Sequence, residues 1–266
     1  MAALALLAAC PQIGLAQGGD KVNVTLSDPA RPAMLKASLL NGGITVKGGE
    51  VKDILVEARV RGEDEGGSRK GRMRRLAIIS TGLTVEEENN QVRVGTDSIN
   101  RTVDITITVP RRTSLKLSAT NDGDIVVDGV EGELDINNTN GEVMLTNVSG
   151  SVVAHALNGE VKVIMNRVLQ KPMAFSSLNG DIDVTFPADL KASISIRSDN
   201  GDVYSDFDVQ LQAGASQPIV EDTRGRGGKY KVKVDKTIRG TIGGGGPEIQ
   251  FTNYNGDIYI RKAGVQ

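Results

Sequence analysis

The residues with the clearest potential for chemistry are acidic side chains that each follow a glycine. Three of them, Asp124, Glu142 and Glu160, recur at every eighteenth position. Asp181, Asp202 and Asp257 continue the series, and Glu133 and Ser151 hold the same place in intervening repeats. A row of carboxylates can bind Ca²⁺, because hard cations take oxygen ligands. A pair of them can also act as general acid and base in polysaccharide cleavage.

The repeat itself argues against both uses. The calcium-binding nonapeptide has the form G-G-x-G-x-D-x-U-x, whereas these repeats carry one glycine and no aspartate at the required offset. Carboxylates recur at nearly every repeat, so none of them is singled out as part of an active site. We therefore expect no catalytic residue, no metal and no cofactor. The acidic column is interpreted as a solvated edge that resists aggregation.

Other chemistry-bearing residues are scarce. The chain has one cysteine, Cys10, and one histidine, His155, which excludes a disulfide framework and a Cys/His zinc site. His155 has no Ser or Cys in a recognisable motif with it and is interpreted as a turn histidine. With 31 basic against 33 acidic residues, the chain has no net positive field for nucleic acid, so we expect no nucleic-acid partner.

The N-terminal segment predicts export. Residues 1–10 are apolar and too short to span a membrane, which is typical of a secretory signal. Two processing sites remain open: a signal peptide of residues 1–16, cleaved before Gln17, or a lipoprotein signal that ends at Cys10 and provides a lipid anchor. No later stretch approaches 18 consecutive apolar residues, so no transmembrane span is expected in the mature chain. The expected location is the periplasm, outer membrane or cell surface of a bacterium.

A nine-residue repeat dominates the middle of the chain. Its glycines are Gly123, Gly132, Gly141, Gly150 and Gly159. Apolar residues, rich in Val and Ile, stand at the second and fourth positions after each glycine, which is typical of a strand with one buried face. Asn-Gly recurs only in every second repeat of this stretch, so the longer period is two nonapeptides and contains two short strands.

The Asn-Gly dipeptides mark the candidate turns. The pairs are Asn140-Gly141, Asn158-Gly159, Asn179-Gly180, Asn200-Gly201 and Asn255-Gly256, and the interval widens by three positions after Gly159. In an antiparallel meander each pair would form a hairpin turn. In a parallel β-solenoid it would turn a corner and stack on the next copy, and the doubled period favours this arrangement. Stacking would allow Asn140 and Asn158 to form a side-chain amide ladder.

The organisation expected is one continuous all-β domain, a parallel β-solenoid (β-helix) with about two short strands per 18–21-residue coil. Residues 21–120 form a β-rich N-terminal part that starts or caps the stack, and residues 121–264 form the repeats and a C-terminal cap. Aromatic residues make up only 3% of the chain and Trp is absent, which predicts an aliphatic core.

Most of the aromatic residues lie late in the chain. Tyr204 and Tyr259 occupy the third position after a glycine, which alternation directs outward. An exposed row of tyrosines would bind sugar rings or a protein, since one end of the ring is apolar and the other is polar. The alternative is a cap that packs over the last coil.

Several strings together resemble a known family. Asn-Gly-Asp-Ile at 179–182 and 255–258, Phe-Pro-Ala-Asp at 186–189 and the glycine-rich run at 240–247 resemble the bacterial putative-adhesin domain of unknown function, over roughly residues 22–261. The resemblance implies an exported β-solenoid, sometimes encoded beside envelope-stress genes, and carries over no catalytic residue.

The function expected is therefore a non-catalytic, exported cell-envelope or surface module, with an adhesin-like binding or structural role. Its partner would be an envelope or surface component, either protein or glycan. The alternatives are a sensory or regulatory component of envelope stress and a polysaccharide-active enzyme.

Overall fold

A computed structural model describes residues 19–62, 81–97, 99–212 and 237–264, together with the backbone of four short strands at 69–70, 73–74, 218–222 and 230–234. The expected export signal, including Cys10, lies outside the described residues. No helix capable of crossing a membrane occurs in the part of the chain that the structure describes.

Every regular element of the described chain is a β-strand, so the all-β prediction is confirmed. In chain order the strands are β1 (Asp20–Val24), β2 (Ala33–Asn41), β3 (Ile44–Gly49), β4 (Ile54–Val60), β5 (Arg69–Lys70), β6 (Met73–Arg74), β7 (Leu83–Glu88), β8 (Gln91–Thr96), β9 (Val103–Pro110), β10 (Thr113–Asn121), β11 (Ile125–Asp128), β12 (Glu131–Asn140), β13 (Val143–Asn158), β14 (Val161–Val168), β15 (Met173–Asn179), β16 (Ile182–Phe186), β17 (Ala192–Asn200), β18 (Val203–Ser205), β19 (Gln210–Leu211), β20 (Pro218–Asp222), β21 (Tyr230–Val234), β22 (Ile238–Ile242), β23 (Glu248–Asn255) and β24 (Ile258–Lys262).

Twenty of these strands form two rows joined by corners. The spatial order of the first row is β7, β8, β2, β10, β12, the second half of β13, β15, β23, β17, β22 and β19. The second row is β1, β4, β9, β3, β11, the first half of β13, β14, β16, β24 and β18. Pairing is parallel inside each row and antiparallel at both ends of the first row and at the β1 end of the second, so the sheet is mixed. We call a first-row strand and the second-row strand that follows it a coil.

The register reproduces the sequence repeat. Gly132 pairs with Gly150 and Val143 with Val161, so neighbouring strands are offset by two nonapeptides. The pairing of Val161 with Ile182 has the longer offset, three positions wider, that the sequence shows after Gly159. Hairpin strands are antiparallel, so the parallel pairing of β12 with β13 rules out a simple meander in this stretch.

The spatial order of the coils differs from their order in the chain. The coil β23–β24 lies between β15–β16 and β17–β18, and the coil β2–β3 lies between β8–β9 and β10–β11. Coils from the beginning and the end of the described chain are thus paired on both sides. Antiparallel strands close both ends of the first row and one end of the second, which covers sheet edges that would otherwise be open.

The core is built from alternate residues of both rows, which join one hydrophobic cluster. Most of its members are Val, Ile, Leu and Ala, in agreement with the predicted aliphatic core, and three Phe residues join them. Phe175, Phe186 and Phe251 are buried and lie 5.4 to 6.5 Å apart between ring centroids. Phe175 pairs with Ala154 of the neighbouring strand, so a large ring packs beside a small side chain.

Glycines at the Asn-Gly corner are required by the close approach of successive coils. A Cβ added to Gly159 would lie 2.1 Å from the carbonyl oxygen of Gly141, and one added to Gly180 would lie 2.3 Å from that of Gly159. Both distances are far shorter than any van der Waals contact, and the obstructing atom is backbone. Any side chain here would force the coils apart.

Gly159→Ala should therefore lower the free energy of unfolding by about 2 kcal/mol or more, because the backbone must shift to admit the methyl group. Guanidinium unfolding followed by circular dichroism measures the loss. Gly49→Ala is the matched control, since the nearest atom to its added Cβ is 3.9 Å away, and it should stay within about 0.5 kcal/mol of the parent. Equal losses in the two variants would contradict the stacking requirement.

Candidate functional site

A ladder of asparagine side chains runs along the corner between the two rows. Each Nδ2 donates to the Oδ1 of its neighbour at 2.8 to 3.3 Å. In spatial order the members are Asn41, Asn121, Asn140, Asn158, Asn179, Asn255 and Asn200. At one end Asn41 donates to the Ile99 carbonyl at 2.8 Å. The structure thus brings all five predicted turn asparagines together with two further ones.

The order within the ladder follows space and not sequence. Asn255 donates to Asn179, and Asn200 donates to Asn255. Along the chain the interval from Asn158 to Asn179 to Asn200 is regular, but the insertion of the last coil between β15–β16 and β17–β18 separates Asn179 from Asn200.

The acidic residues form a second column beside the ladder, and several of their carboxylates bind the backbone of the next coil. Asp124 Oδ1 accepts the N–H of Glu142 at 2.8 Å. Asp181 and Asp257 accept the N–H of Asp257 and Asp202, respectively, also at 2.8 Å. These carboxylates therefore serve as structural acceptors at the corner.

Asp104 is a member of this column that the sequence repeat did not reveal, because no glycine precedes it. It accepts the N–H of Gly43 at 2.9 Å and pairs with the guanidinium of Arg61. Burial acts to raise the pKa of Asp104, but the hydrogen bonds from Arg61 and Gly43 outweigh it, and the pKa lies below its ordinary value.

Glu160 is the member whose pKa moves in the opposite direction. Burial and the nearby carboxylates of Glu142, Asp183 and Asp181 raise its pKa above the ordinary value, against the opposing effect of Lys162.

No group of three or more His, Cys, Asp or Glu side chains placed to hold a metal ion occurs among the described residues.

Glu133 and Ser151 lie at the opposite corner. Glu133 pairs with Lys171, and the Ser151 hydroxyl donates to the Pro172 carbonyl at 2.8 Å. They are neighbours in register but do not extend the acidic column.

Buried polar side chains cap the corner from inside, and sequence reasoning missed them. Asn138 Nδ2 donates to the carbonyls of Gly123 and Glu142, both at 3.1 Å. Ser177 Oγ and Asn253 Nδ2 donate to the carbonyls of Gly159 and Gly180, respectively. A signal was present, since each stands two residues after an inward apolar residue of the same strand and therefore points inward by alternation.

Tyr204 and Tyr259 form a stacked pair on the outward side of the second row. Their strands, β18 and β24, are neighbours, and the ring centroids lie 5.2 Å apart with planes inclined by 11°. Arg261 lies 5.0 Å from the centroid of the Tyr259 ring and is held by Asp183 through a hydrogen bond of 2.8 Å. We call these four residues the tyrosine patch.

The carboxylates next to the patch raise the pKa of both phenols. The charges of Asp202 and Asp257 raise the pKa of Tyr204. The hydrogen bond from Tyr259 to Asp257, of 3.1 Å, raises the pKa of Tyr259. The patch therefore presents the exposed ring of Tyr204, the half-buried ring of Tyr259 and one guanidinium to solvent.

The late aromatic residues separate into different environments. Phe251 is in the core, whereas Tyr254 is 49% exposed on the outward side of the first row, as exposed as Tyr204. The described aromatics therefore do not form one cap over the last coil.

The interpretation of His155 as a turn residue is wrong. It lies within β13, where it is exposed, and its Nδ1 is 2.8 Å from Ser176 Oγ.

Comparison with known proteins gives the family. Residues 104–261 match the family model described as Toastrack DUF4097. The chain belongs to the Toastrack DUF4097 family. The matched region begins in β9 and ends in β24, so it contains most of the asparagine ladder and the whole tyrosine patch. No curated protein matches the chain significantly.

Solved structures that resemble this chain include two proteins named for adhesion. A "putative cell adhesion protein" from Clostridium sporogenes is 14% identical, with 92% of this chain and 99% of that one covered and a TM-score of 0.42. A "putative adhesin" from Bacteroides fragilis is 13% identical, with coverage of 93% and 98% and a TM-score of 0.35.

Asn158→Ala should lower the free energy of unfolding by about 1 to 2 kcal/mol, because it removes two ladder hydrogen bonds. Asn200→Ala removes one and should cost about half as much. Chemical denaturation of the two variants against the parent measures the difference. Equal losses in Asn200→Ala and Asn158→Ala would show that the free energy of unfolding does not depend on the number of ladder hydrogen bonds removed.

Glu160→Gln should stabilise the protein at pH 7 by about 0.5 kcal/mol, a small effect because water screens the half-exposed group. A carboxyl whose pKa is raised on folding gives stability below its ordinary pKa and loses it as the pH rises through the raised value. The gain from the substitution should therefore vanish near pH 3. Thermal unfolding at both pH values tests this, with the exposed Glu88→Gln as control, and a gain that persisted at pH 3 would contradict it.

Proposed function

We propose that the protein is an exported, non-catalytic module of the bacterial cell envelope or surface, built as a parallel β-solenoid, that binds a surface glycan or protein through the tyrosine patch. The observation that carries the proposal is the parallel stack of the exposed Tyr204 on the half-buried Tyr259, with Arg261 beside it. Export is supported by the apolar segment at residues 1–10.

The chemistry of the patch fits recognition of a ring or an extended apolar surface. Flat ring faces bind sugar rings and side chains through dispersion, and tyrosine adds a hydroxyl group at the edge. The bond to Asp183 fixes the Arg261 guanidinium, which reduces the entropy lost when a partner binds. The stack is also held by the backbone of two paired strands, so the surface is preorganised.

The non-catalytic part of the proposal is supported by what the carboxylates do. Asp124, Asp181 and Asp257 each use an oxygen to bind the N–H of the next coil. The acidic groups recur coil after coil in this structural role, and this favours a scaffold over a pair of catalytic carboxylates.

Binding of the purified chain to a glycan array and to isolated envelope fractions tests the proposal. Tyr204→Ala and Tyr259→Ala should each weaken binding to the retained component at least tenfold. Tyr254→Ala is the matched control, because Tyr254 has the same exposure on the other row, and its binding should be unchanged. Equal loss in all three variants would argue against the patch.

The same samples test the remaining alternatives. Binding should persist in the presence of a chelator, since no bound cation is part of the proposal. Bound polysaccharide should release no new reducing ends during prolonged incubation. Release that is abolished by one Asp→Asn substitution in the acidic column would establish the enzymatic alternative instead.

A further inference from the structure

The last strand of the second row, β18, has one side without a partner in the described part of the chain. It pairs in parallel with β24 on its other side. At the same end of the molecule the first row is closed, because β17 is followed by the antiparallel strands β22 and β19. At this end of the molecule, the described strands therefore include no antiparallel strand that covers the edge of the second row.

The backbone of β18 has hydrogen-bonding groups directed to the open side. The Asp202 carbonyl and the Asp206 N–H bond to Ile258 and Ile260 of β24 at 2.9 and 3.0 Å. Because alternate residues of a parallel strand face the same neighbour, Tyr204 also faces β24. Val203 and Ser205 direct their N–H and C=O groups to the open side.

The two side-chain columns also end here, and both end on acceptors. In the ladder each Oδ1 accepts an N–H from the next asparagine, and Asn200, the last member, has no following coil in the described chain to supply one. The carboxylates of Asp181 and Asp257 accept the N–H of the residue stacked on them, and Asp202 occupies the same position in the last coil. A further strand in parallel register would supply both missing donors.

The negative charge around β18 indicates which kind of segment can pair with this edge. Asp199, Asp202, Asp206 and Asp208 lie within ten residues, and Arg197 pairs with Asp199 at 3.4 Å. A second copy of the same edge would bring two acidic strands together, and like charges opposite each other in a sheet are destabilising. A segment that carries Lys or Arg complements the edge.

We propose that β18 is a site of strand addition, at which an extended, basic segment of a partner protein pairs in parallel with Val203–Ser205 and continues the stack. Backbone hydrogen bonds to Val203 and Ser205 supply affinity, as in other cases of β-augmentation. The carboxylate of Asp202 supplies the preference for a basic segment. The proposal goes beyond the function proposed above, because it concerns the strand edge and would stand if the tyrosine patch bound no envelope component.

Hydrogen exchange of the free protein is the first test. The amide hydrogens of Val203 and Ser205 should exchange as fast as those of an unstructured peptide, and the amide of Tyr204 at least tenfold more slowly. Protection of Val203 and Ser205 in the free chain would overturn the proposal. Protection that depends on protein concentration would assign the edge to a second copy, and protection that does not would assign it to the chain itself.

A synthetic peptide is the probe for addition. It has blocked termini, a fluorescent label and the sequence Asn-Gly-Lys-Ile-Tyr-Ile-Arg-Lys, which is that of residues 255–262 with Lys in place of Asp257. Fluorescence anisotropy should show saturable binding to the full chain, weakened by salt. In complex with the peptide, the amides of Val203 and Ser205 should become protected at least tenfold.

Four variants, in two matched pairs, separate the backbone edge from other contacts. Ser205→Pro removes the edge N–H without removing a bond to β24 and should weaken peptide binding at least tenfold, whereas Ser205→Ala should leave it unchanged. Asp202→Asn should weaken it about threefold, and Asp189→Asn, an exposed carboxylate in the turn after β16, should not. Absence of peptide binding, or binding that is equal in Ser205→Pro and Ser205→Ala, would overturn the proposal. If Ser205→Pro fails to fold, the exchange data and the Asp202→Asn and Asp189→Asn pair decide.

Discussion

The close approach of successive coils at the Asn-Gly corner is the constraint on which the rest of the structure depends. The carbonyl of one glycine occupies the space where a Cβ of the next would lie, as at Gly141 and Gly159. This approach brings the flanking asparagines within hydrogen-bonding distance, and it places several of the acidic residues against the backbone N–H of the next coil. Without it, the register of the inward Val and Ile residues would also be lost, because a shift of one residue turns them outward.

The close approach of the coils also brings carboxylates near one another, and hydrogen bonds from backbone N–H groups offset their repulsion. Carboxylates stacked at about the spacing of adjacent strands, roughly 4.8 Å, repel one another. A carboxylate that accepts a backbone N–H is stabilised in its charged form, and Asp124, Asp181 and Asp257 all do so. For Glu160, burial and the neighbouring carboxylates prevail instead, which is why its pKa is raised.

This division of labour decides where recognition can take place. The corner side chains already form hydrogen bonds within the stack, so few of their polar atoms remain for a partner. The outward positions of the strands are not needed to hold the coils together, and Tyr204, Tyr259 and Arg261 lie at such positions. The other available surface is the end of the second row, where the described stack stops at β18 with its acceptors unmatched.

The sequence alone determined the strand period, the inward apolar residues, the corner glycines and five of the seven ladder asparagines, because these features depend on alternation and on short-range stereochemistry. Tertiary structure alone decided that Asn255 stands between Asn179 and Asn200, since the positions of β2–β3 and β23–β24 depend on pairing across long stretches of chain. It likewise decided the entry of Asp104 into the acidic column and the stacking of Tyr204 on Tyr259, which belong to coils far apart in the chain. Local patterns specify what each coil looks like, whereas the order in which coils stack is fixed by which edges remain free to pair.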